Sequence, residues 1–342
     1  MKIFHGPHNI SGMASILAAA QRSLGVSAEA HCYNKSVFGY KVDKEFNHEN
    51  FRGATSIIKF AANFDVFHFY FGESLDTFSL RDLPLLNSLG KKIFMYFCGC
   101  DIRNSKQAIA TRKYSACSHC WAQACNYNRE YALKIVNEFA DGIFVSTPDL
   151  LDTVPEATLL LQPVDSNSFL KFSRKFNSAD YENLGTQQNP LRLVHAPSSQ
   201  KLKGTEYVMK SIEELQAQGI HIQLSLLENM PWEQALHEYA NAHIGIDQLL
   251  IGSYGSFSVE LMALGVPVIC YLHEHSLAHY PEPPPIINAN LENLTEVILS
   301  LLTPTNNWEK LIKDELRYVS QHHDHLKVGK KALDHYSKRK KS

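Results

Sequence analysis

The sequence has no stretch of about 18 uninterrupted apolar residues, the length that a membrane-spanning helix requires. The first apolar run is broken by His5, His8 and Asn9, so it lacks the continuous core of a secretory signal, and a cytoplasmic location is the default expectation. An excess of one charge is missing too: 33 Lys and Arg stand against 35 Asp and Glu, a formal net charge of -2. Such a balance advertises no basic face and argues against nucleic acid as the main partner. Repeats and low-complexity tracts are absent apart from one basic run, Lys338, Arg339, Lys340 and Lys341. That run reads either as a solvated, frayed terminus or as a peripheral contact with anionic lipid at the inner membrane face. With 342 residues, 44% of them hydrophobic, the chain can bury the cores of two domains of ordinary size.

Short β-rich runs alternate with longer helical patterns, which points to parallel sheets with crossover helices. Residues 2–5, 66–71, 93–97 and 142–145 read as strands of one doubly wound domain, with Ile16, Leu17 and Ala20 on the inner face of its first helix. A strand near 159–161 leads into a Ser-, Asn- and Gln-rich stretch that reads as a linker over 166–189. The alternation restarts with expected strands at 192–195, 222–226, 243–246 and 266–271. The predicted organisation is an amino-terminal domain over 1–165, a second domain over 190–321, and a carboxyl-terminal helix and basic tail over 322–342. Both domains are expected to be Rossmann-like α/β sheets facing a central cleft, because ligands of open α/β sheets bind at the carboxyl ends of the strands.

The segment 247–271, DQLLIGSYGSFSVELMALGVPVICY, carries the strongest chemical signal. Gly252, Tyr254 and Gly255 form a loop ahead of a helix that begins near Ser256. Free backbone N–H groups and the positive helix end there favour phosphate, and Glu260, one turn on, could accept hydrogen bonds from a ribose. Glycine also serves tight turns with no ligand at all. After the strand at 192–195, Ser198 and Ser199 place hydroxyl donors in the same region, or form a plain turn.

In order and spacing, Gly255, Glu260, Met262, Ala263, Gly265, Pro267 and Val268 resemble the nucleotide-sugar-binding segment of retaining GT-B glycosyltransferases of family four. The loop from Gly6 to Gly12 resembles that family's first glycine loop, Pro163, Asp165 and Phe169 its interdomain passage, and Lys203–Gly204 its basic loop. The resemblance implies a nucleotide-diphospho-sugar donor and a glycan or lipid-linked acceptor bound by the first domain. It also implies retention of anomeric configuration and a setting in bacterial surface-polysaccharide assembly. Lys203 would then neutralise the departing diphosphate, and with the helix end doing the same work no catalytic divalent metal is expected.

Three positions depart from the pattern: Gly252 stands where the first of two glutamates is usual, Ser198 where an Arg is common, and Cys98 where a His often follows the strand. They motivate one rival reading, a catalytically degenerate binding or scaffold subunit; an enzyme of the same fold with a different outcome, such as a nucleotide-sugar epimerase, is a further possibility. Asp101, in CGCDIR, could orient or deprotonate an acceptor hydroxyl, or cap the next turn. His68, within DVFHFYFG, reads as catalytic or as a satisfied core histidine. Five of the seven cysteines fall within 98–125. Cys100, Cys117, Cys120 and Cys125 could hold a structural zinc, with Cys98 or His119 as substitutes. Reduced thiols, a disulfide and an iron–sulfur centre are the alternatives. The cluster His273, His275, His279 is expected to be surface.

Overall fold

A computed structural model describes residues 1–33, 38–120, 129–173, 176–303 and 306–338. The first sheet comprises β1 (Lys2–Gly6), β2 (Ser27–Tyr33), β3 (Lys44–Phe46), β4 (Val66–Tyr70), β5 (Lys92–Phe97), β6 (Gly142–Val145) and β7 (Thr158–Leu159). All neighbours are parallel, in the order β3-β2-β1-β4-β5-β6-β7, with Ile3 opposite Val66 and Val66 opposite Lys92.

Helices cover both faces of this sheet, which is why its central strands are continuously apolar. Phe4, Phe67, Phe69, Ile93, Met95 and Phe97 point to one face, under the helices Ala54–Ala61, Asp82–Ser88 and Arg129–Phe139. Their alternates Ile3, Val66, Tyr70, Phe94 and Tyr96 point to the other, under the helices Met13–Ser23 and His325–Ser337. The last helix crosses the first so closely that a Cβ on Gly329 would lie 3.0 Å from that of Ala20. Chain pairing fixes its entry, with Val164 N–H donating to the His323 carbonyl at 2.8 Å and His325 N–H to the Val164 carbonyl at 3.0 Å.

The second sheet holds β8 (Leu191–His195), β9 (Ile222–Leu226), β10 (Ile244–Ile246), β11 (Val268–Cys270) and β12 (Ile287–Asn288), parallel in the order β12-β11-β10-β8-β9. Leu191, Leu193, Ile244, Ile246 and Ile269 form a core with the helices Thr205–Ala217 and Leu294–Leu301. A Cβ on Gly245 would meet the Leu261 side chain at 2.2 Å, so this strand needs glycine for the helix Ser256–Leu264 to approach.

The chain therefore forms two doubly wound units, but their boundaries differ from the expected ones. The first contains Met1–Asn104, Trp121–Val164 and His323–Ser342, and the second contains Ser105–Cys120 and Asp165–His322. The carboxyl-terminal helix completes the first unit's core instead of standing apart. The expected linker is part of the second unit: Tyr181 stacks on Trp308 at 4.9 Å between ring centroids and on Phe176 at 5.6 Å.

Candidate functional site

In each sheet the strand order reverses at one place, between β1 and β4 in the first and between β8 and β10 in the second. In open α/β sheets the loops leaving such strands diverge, and the crevice at their carboxyl ends is where ligands bind. The second crevice gathers most of the residues singled out from sequence.

At its floor His195, 1% exposed, donates from Nδ1 to the Ile246 carbonyl at 2.6 Å and accepts the Thr205 hydroxyl at Nε2, 2.8 Å away. Burial holds its pKa below the ordinary value, which keeps the ring neutral as that pattern requires. His195 thus ties β8 to β10 and to the first turn of the next helix. Gly204, at φ +81°, lets the short helix Gln200–Lys203 turn into the helix Thr205–Ala217. Ser198 is exposed and Ser199 half-buried in the same loop.

Lys203 reaches across the reversal. Its Nζ lies 3.2 Å from Asp247 Oδ1 and donates to Gln248 Oε1, while the Gln248 amide donates to the Ser253 carbonyl. Asp247 Oδ2 accepts the Gly255 N–H at 3.0 Å and the Ser258 hydroxyl at 2.7 Å. Burial alone would push this carboxyl up, but Lys203, Ser258 and Gly255 together hold its pKa below the ordinary value. Asp247 thus takes up one donor ahead of the helix Ser256–Leu264, the Gly255 N–H, and Lys203 balances its charge. Ser256, at the first helical position, is half-buried. Ser253, fully buried in the same loop, has a hydroxyl with no hydrogen-bond partner among the described residues.

The other loop residues separate by role. Gly252, at φ +83°, could not carry a side chain, since a Cβ would lie 2.9 Å from that of His273. Gly255 has an ordinary φ of -108°, and a Cβ there would stand 3.5 Å from Lys203 Nζ and 3.4 Å from Asp247 Oδ2. Its lack of a side chain keeps room beside the ammonium group. Glu260 accepts the Trp232 indole N–H at 2.8 Å. Tyr254 departs from expectation: it is fully buried, stacks on Tyr280 at 4.8 Å and shares a hydroxyl contact with Tyr318 at 3.1 Å, so it holds the loop down from below.

At the crevice of the first sheet, Gly12 is buried at φ +75°, and a Cβ would strike the Tyr40 ring at 2.8 Å. His8 and Glu73, from the loops after β1 and β4, face one another with Nε2 2.7 Å from Oε2; the imidazole is 30% exposed and the carboxylate 8%. Sequence reasoning missed this pair, although His8 lies within the glycine loop. Asp101 turns both oxygens inward: Oδ2 accepts the Cys98 N–H at 3.0 Å and Oδ1 the Gly99 N–H at 2.6 Å. Both donors precede Asp101 in the chain, so its carboxylate closes the turn before it and does not cap the next one. Burial outweighs those bonds and pushes its pKa up to about 6. Beside it the buried Arg103 donates to Asp149 at 2.7 Å.

His68 is not at a crevice. It sits in mid-strand, fully buried, stacked on Tyr70 at 4.7 Å, with Nδ1 bonded to the Tyr336 hydroxyl. Burial holds its pKa well below the ordinary value. The strand's period of two turns it under the last helix, so it is a core residue and not a catalytic one.

Cys100 belongs to the first unit and accepts from the Arg103 guanidinium at 3.6 Å, whereas Cys117 and Cys120 belong to the second, and Cys125 lies outside the described residues. Among the described residues no group of three or more His, Cys, Asp or Glu side chains is arranged to hold a metal, the His273 cluster included. Of the basic run only Lys338 is described. Among the described residues no helix is long and apolar enough to cross a membrane.

No family model and no curated protein matches the sequence. Solved structures do. HepE from Anabaena, in complex with UDP and glucose, superposes with a TM-score of 0.64 at 12% identity, over 98% of this chain and 99% of its own. An alpha-glucosyltransferase in complex with UDP and DNA gives 0.63 at 12%, over 98% and 99%. Sucrose-phosphate synthase from Thermosynechococcus elongatus gives 0.58 at 13%, over 94% and 90%. At such identities the likeness is one of fold, and the fold of this chain is the GT-B type, built of two doubly wound Rossmann-like units.

Proposed function

We propose that the protein is a glycosyltransferase that moves a sugar from a nucleotide-diphospho-sugar to a hydroxyl of a glycan or glycolipid. The second unit would hold the donor and the first the acceptor. The observation that carries this reading is the arrangement at the reversal of the second sheet, where the Lys203 ammonium, 15% exposed, stands beside Gly255, 3.5 Å from where a Cβ on that residue would lie. A departing nucleoside diphosphate gains negative charge as the bond to the sugar breaks, and a fixed ammonium stabilises that charge more than it stabilises the ground state. Asp247 keeps Lys203 oriented. The fold likeness to proteins solved with UDP supports the donor class. Retention of configuration and a place in bacterial surface-polysaccharide assembly rest on the family resemblance of the segment 247–271. A structural zinc on the cysteine run rests on its spacing alone, and one zinc per purified chain would support it.

The test is turnover of a panel of UDP-, GDP- and ADP-sugars with mixed oligosaccharide and glycolipid acceptors, read as nucleotide release and as glycoside product. Glycoside formation with the anomeric configuration of the donor supports the full reading. Nucleotide binding without any product in every mixture would instead favour a binding subunit, and nucleotide release without glycoside an epimerase-like outcome.

A further inference from the structure

Resting on the glycosyltransferase reading above, we infer that His8 takes the proton from the acceptor hydroxyl and that Glu73 positions it for that step. The two residues follow the strands on either side of the reversal in the first sheet, His8 just after β1 and Glu73 just after β4. The chain is bent to bring them together. Phe71 and Gly72, at φ +59° and +64°, are both left-handed, a conformation that is costly for a bulky ring. Hydrogen bonds hold the turn in that shape. Phe71 N–H donates to the Tyr96 carbonyl at 3.1 Å and Glu73 N–H to the Tyr70 carbonyl at 3.3 Å. The Tyr33 hydroxyl donates to the Leu75 carbonyl at 2.7 Å, and buried Asp82 accepts the Leu75 N–H at 3.0 Å together with the Ser74 hydroxyl. Strain that the surroundings over-determine in this way gathers at working sites.

Charge and packing then orient the imidazole. The Tyr33 and Phe71 rings meet it edge-on at 6.1 and 6.2 Å, and Glu73 Oε2 lies 2.7 Å from Nε2. Nε2 is sealed from solvent and makes no in-line hydrogen bond among the described residues; catalytic bonds of this kind often come into line only with substrate bound. The ring as a whole is still 30% exposed, so Nδ1 is the nitrogen left for a ligand. A carboxylate behind an imidazole favours the tautomer with its proton on the sealed nitrogen, and it offsets the charge of the imidazolium that forms. As the acceptor oxygen bonds to the anomeric carbon, the bond from that carbon to the diphosphate breaks and its electron pair leaves with the diphosphate. The hydroxyl proton passes to His8 Nδ1 and is later lost to water. Asp101 and His68 do not compete for this step, because the first turns both oxygens to backbone N–H groups and the second is sealed in the core.

The test uses the full chain, the donor and acceptor that give glycoside in the panel above, and calorimetry with UDP, GDP and ADP. His8→Ala is expected to lower kcat about 10²–10⁴-fold, the scale of a lost general base, and to leave nucleotide affinity at the wild-type value. Added imidazole should restore part of its rate. Glu73→Gln is expected to lower kcat roughly 10- to 100-fold, the scale of one lost charged hydrogen bond, with the acceptor KM unchanged, and Glu73→Asp to recover part of that loss. A His8→Ala rate close to wild type, a loss mirrored in nucleotide affinity, or no response to imidazole overturns the inference. Glu73→Gln as active as wild type overturns the positioning role. Should His8→Ala fail to fold, His8→Asn, which cannot take the proton, must show the same loss of kcat at unchanged nucleotide affinity. Wild-type protein that forms no glycoside with any donor overturns the glycosyltransferase reading itself, whereas glycoside formation that His8→Ala leaves unimpaired overturns this inference alone.

Discussion

Replacing Lys203 by Met removes the only positive partner of Asp247 among the described residues; the Asp247 side chain is 1% exposed and that of Lys203 15% exposed. Stranding a buried carboxylate costs about 3–5 kcal/mol. The Gly255 N–H and Ser258 hydroxyl remain on Asp247 Oδ2 and soften the loss, so about 2–3 kcal/mol is expected. For a unit of this size that lowers Tm by about 4–12 °C. Asn at 247 in the same chain removes the stranded charge and should restore most of the lost stability. The pH dependence has a definite sign. In the wild type the Asp247 pKa lies below its unfolded value, so its contribution is complete above the ordinary carboxylate range and is lost as pH falls through the folded value. Without Lys203, burial dominates and raises the folded pKa. The deficit of Lys203→Met is then largest at neutral pH and shrinks as the pH is lowered. Donor turnover should fall about 10²–10³-fold in both Lys203→Met and the double variant, as for loss of one group stabilising a leaving anion. Thermal melts and initial rates on the three proteins decide the matter. Recovery of turnover together with stability in the double variant would mean that Lys203 serves only to neutralise Asp247.

Gly255→Ala should fold with a Tm near wild type, because its φ is ordinary, yet lose UDP affinity as the new methyl takes the space beside Lys203; calorimetry and a melt separate the two effects. Gly252→Ala should instead lose at least about 1 kcal/mol of stability, since the position is left-handed and crowded by His273, which urea titration measures. His68→Phe should change stability by about 1–2 kcal/mol and leave kcat/KM untouched, as its ring is sealed in the first core. Asp101 titrates near 6 because burial raises it, so the native state binds its proton more tightly than the unfolded chain. Stability should therefore decline between about pH 4 and 6, and Asp101→Asn should flatten that part of the profile in denaturant melts.

The alternation of apolar runs made both sheets legible, because strands covered on two faces cannot be polar. It missed β2, whose sequence SAEAHCY has small and polar residues where bulk is usual, and the short β3 and β12. The crevice of the second sheet could be placed from sequence because Lys203, Gly204 and Gly255 sit just after strands. Its electrostatics could not, since Asp247 acquires its meaning from a lysine 44 residues earlier in the chain. The docking of residues 105–120 on the second unit was invisible for the same reason: Arg112 and Ala116 find their carbonyl partners more than a hundred residues away, and no local pattern marks such a pairing. Tyr254 misled and His68 stayed open between two readings because a polar atom on an aromatic ring reads equally well as a ligand contact or a buried handle, and only packing separates the two.

Hydrogen–deuterium exchange with and without UDP tests most directly whether the reversal of the second sheet is the nucleotide site. Protection of peptides spanning 196–205 and 247–260, with the crevice loops of the first sheet unchanged, is the predicted result. Protection confined to other segments, or none at saturating UDP, GDP and ADP, would contradict the account.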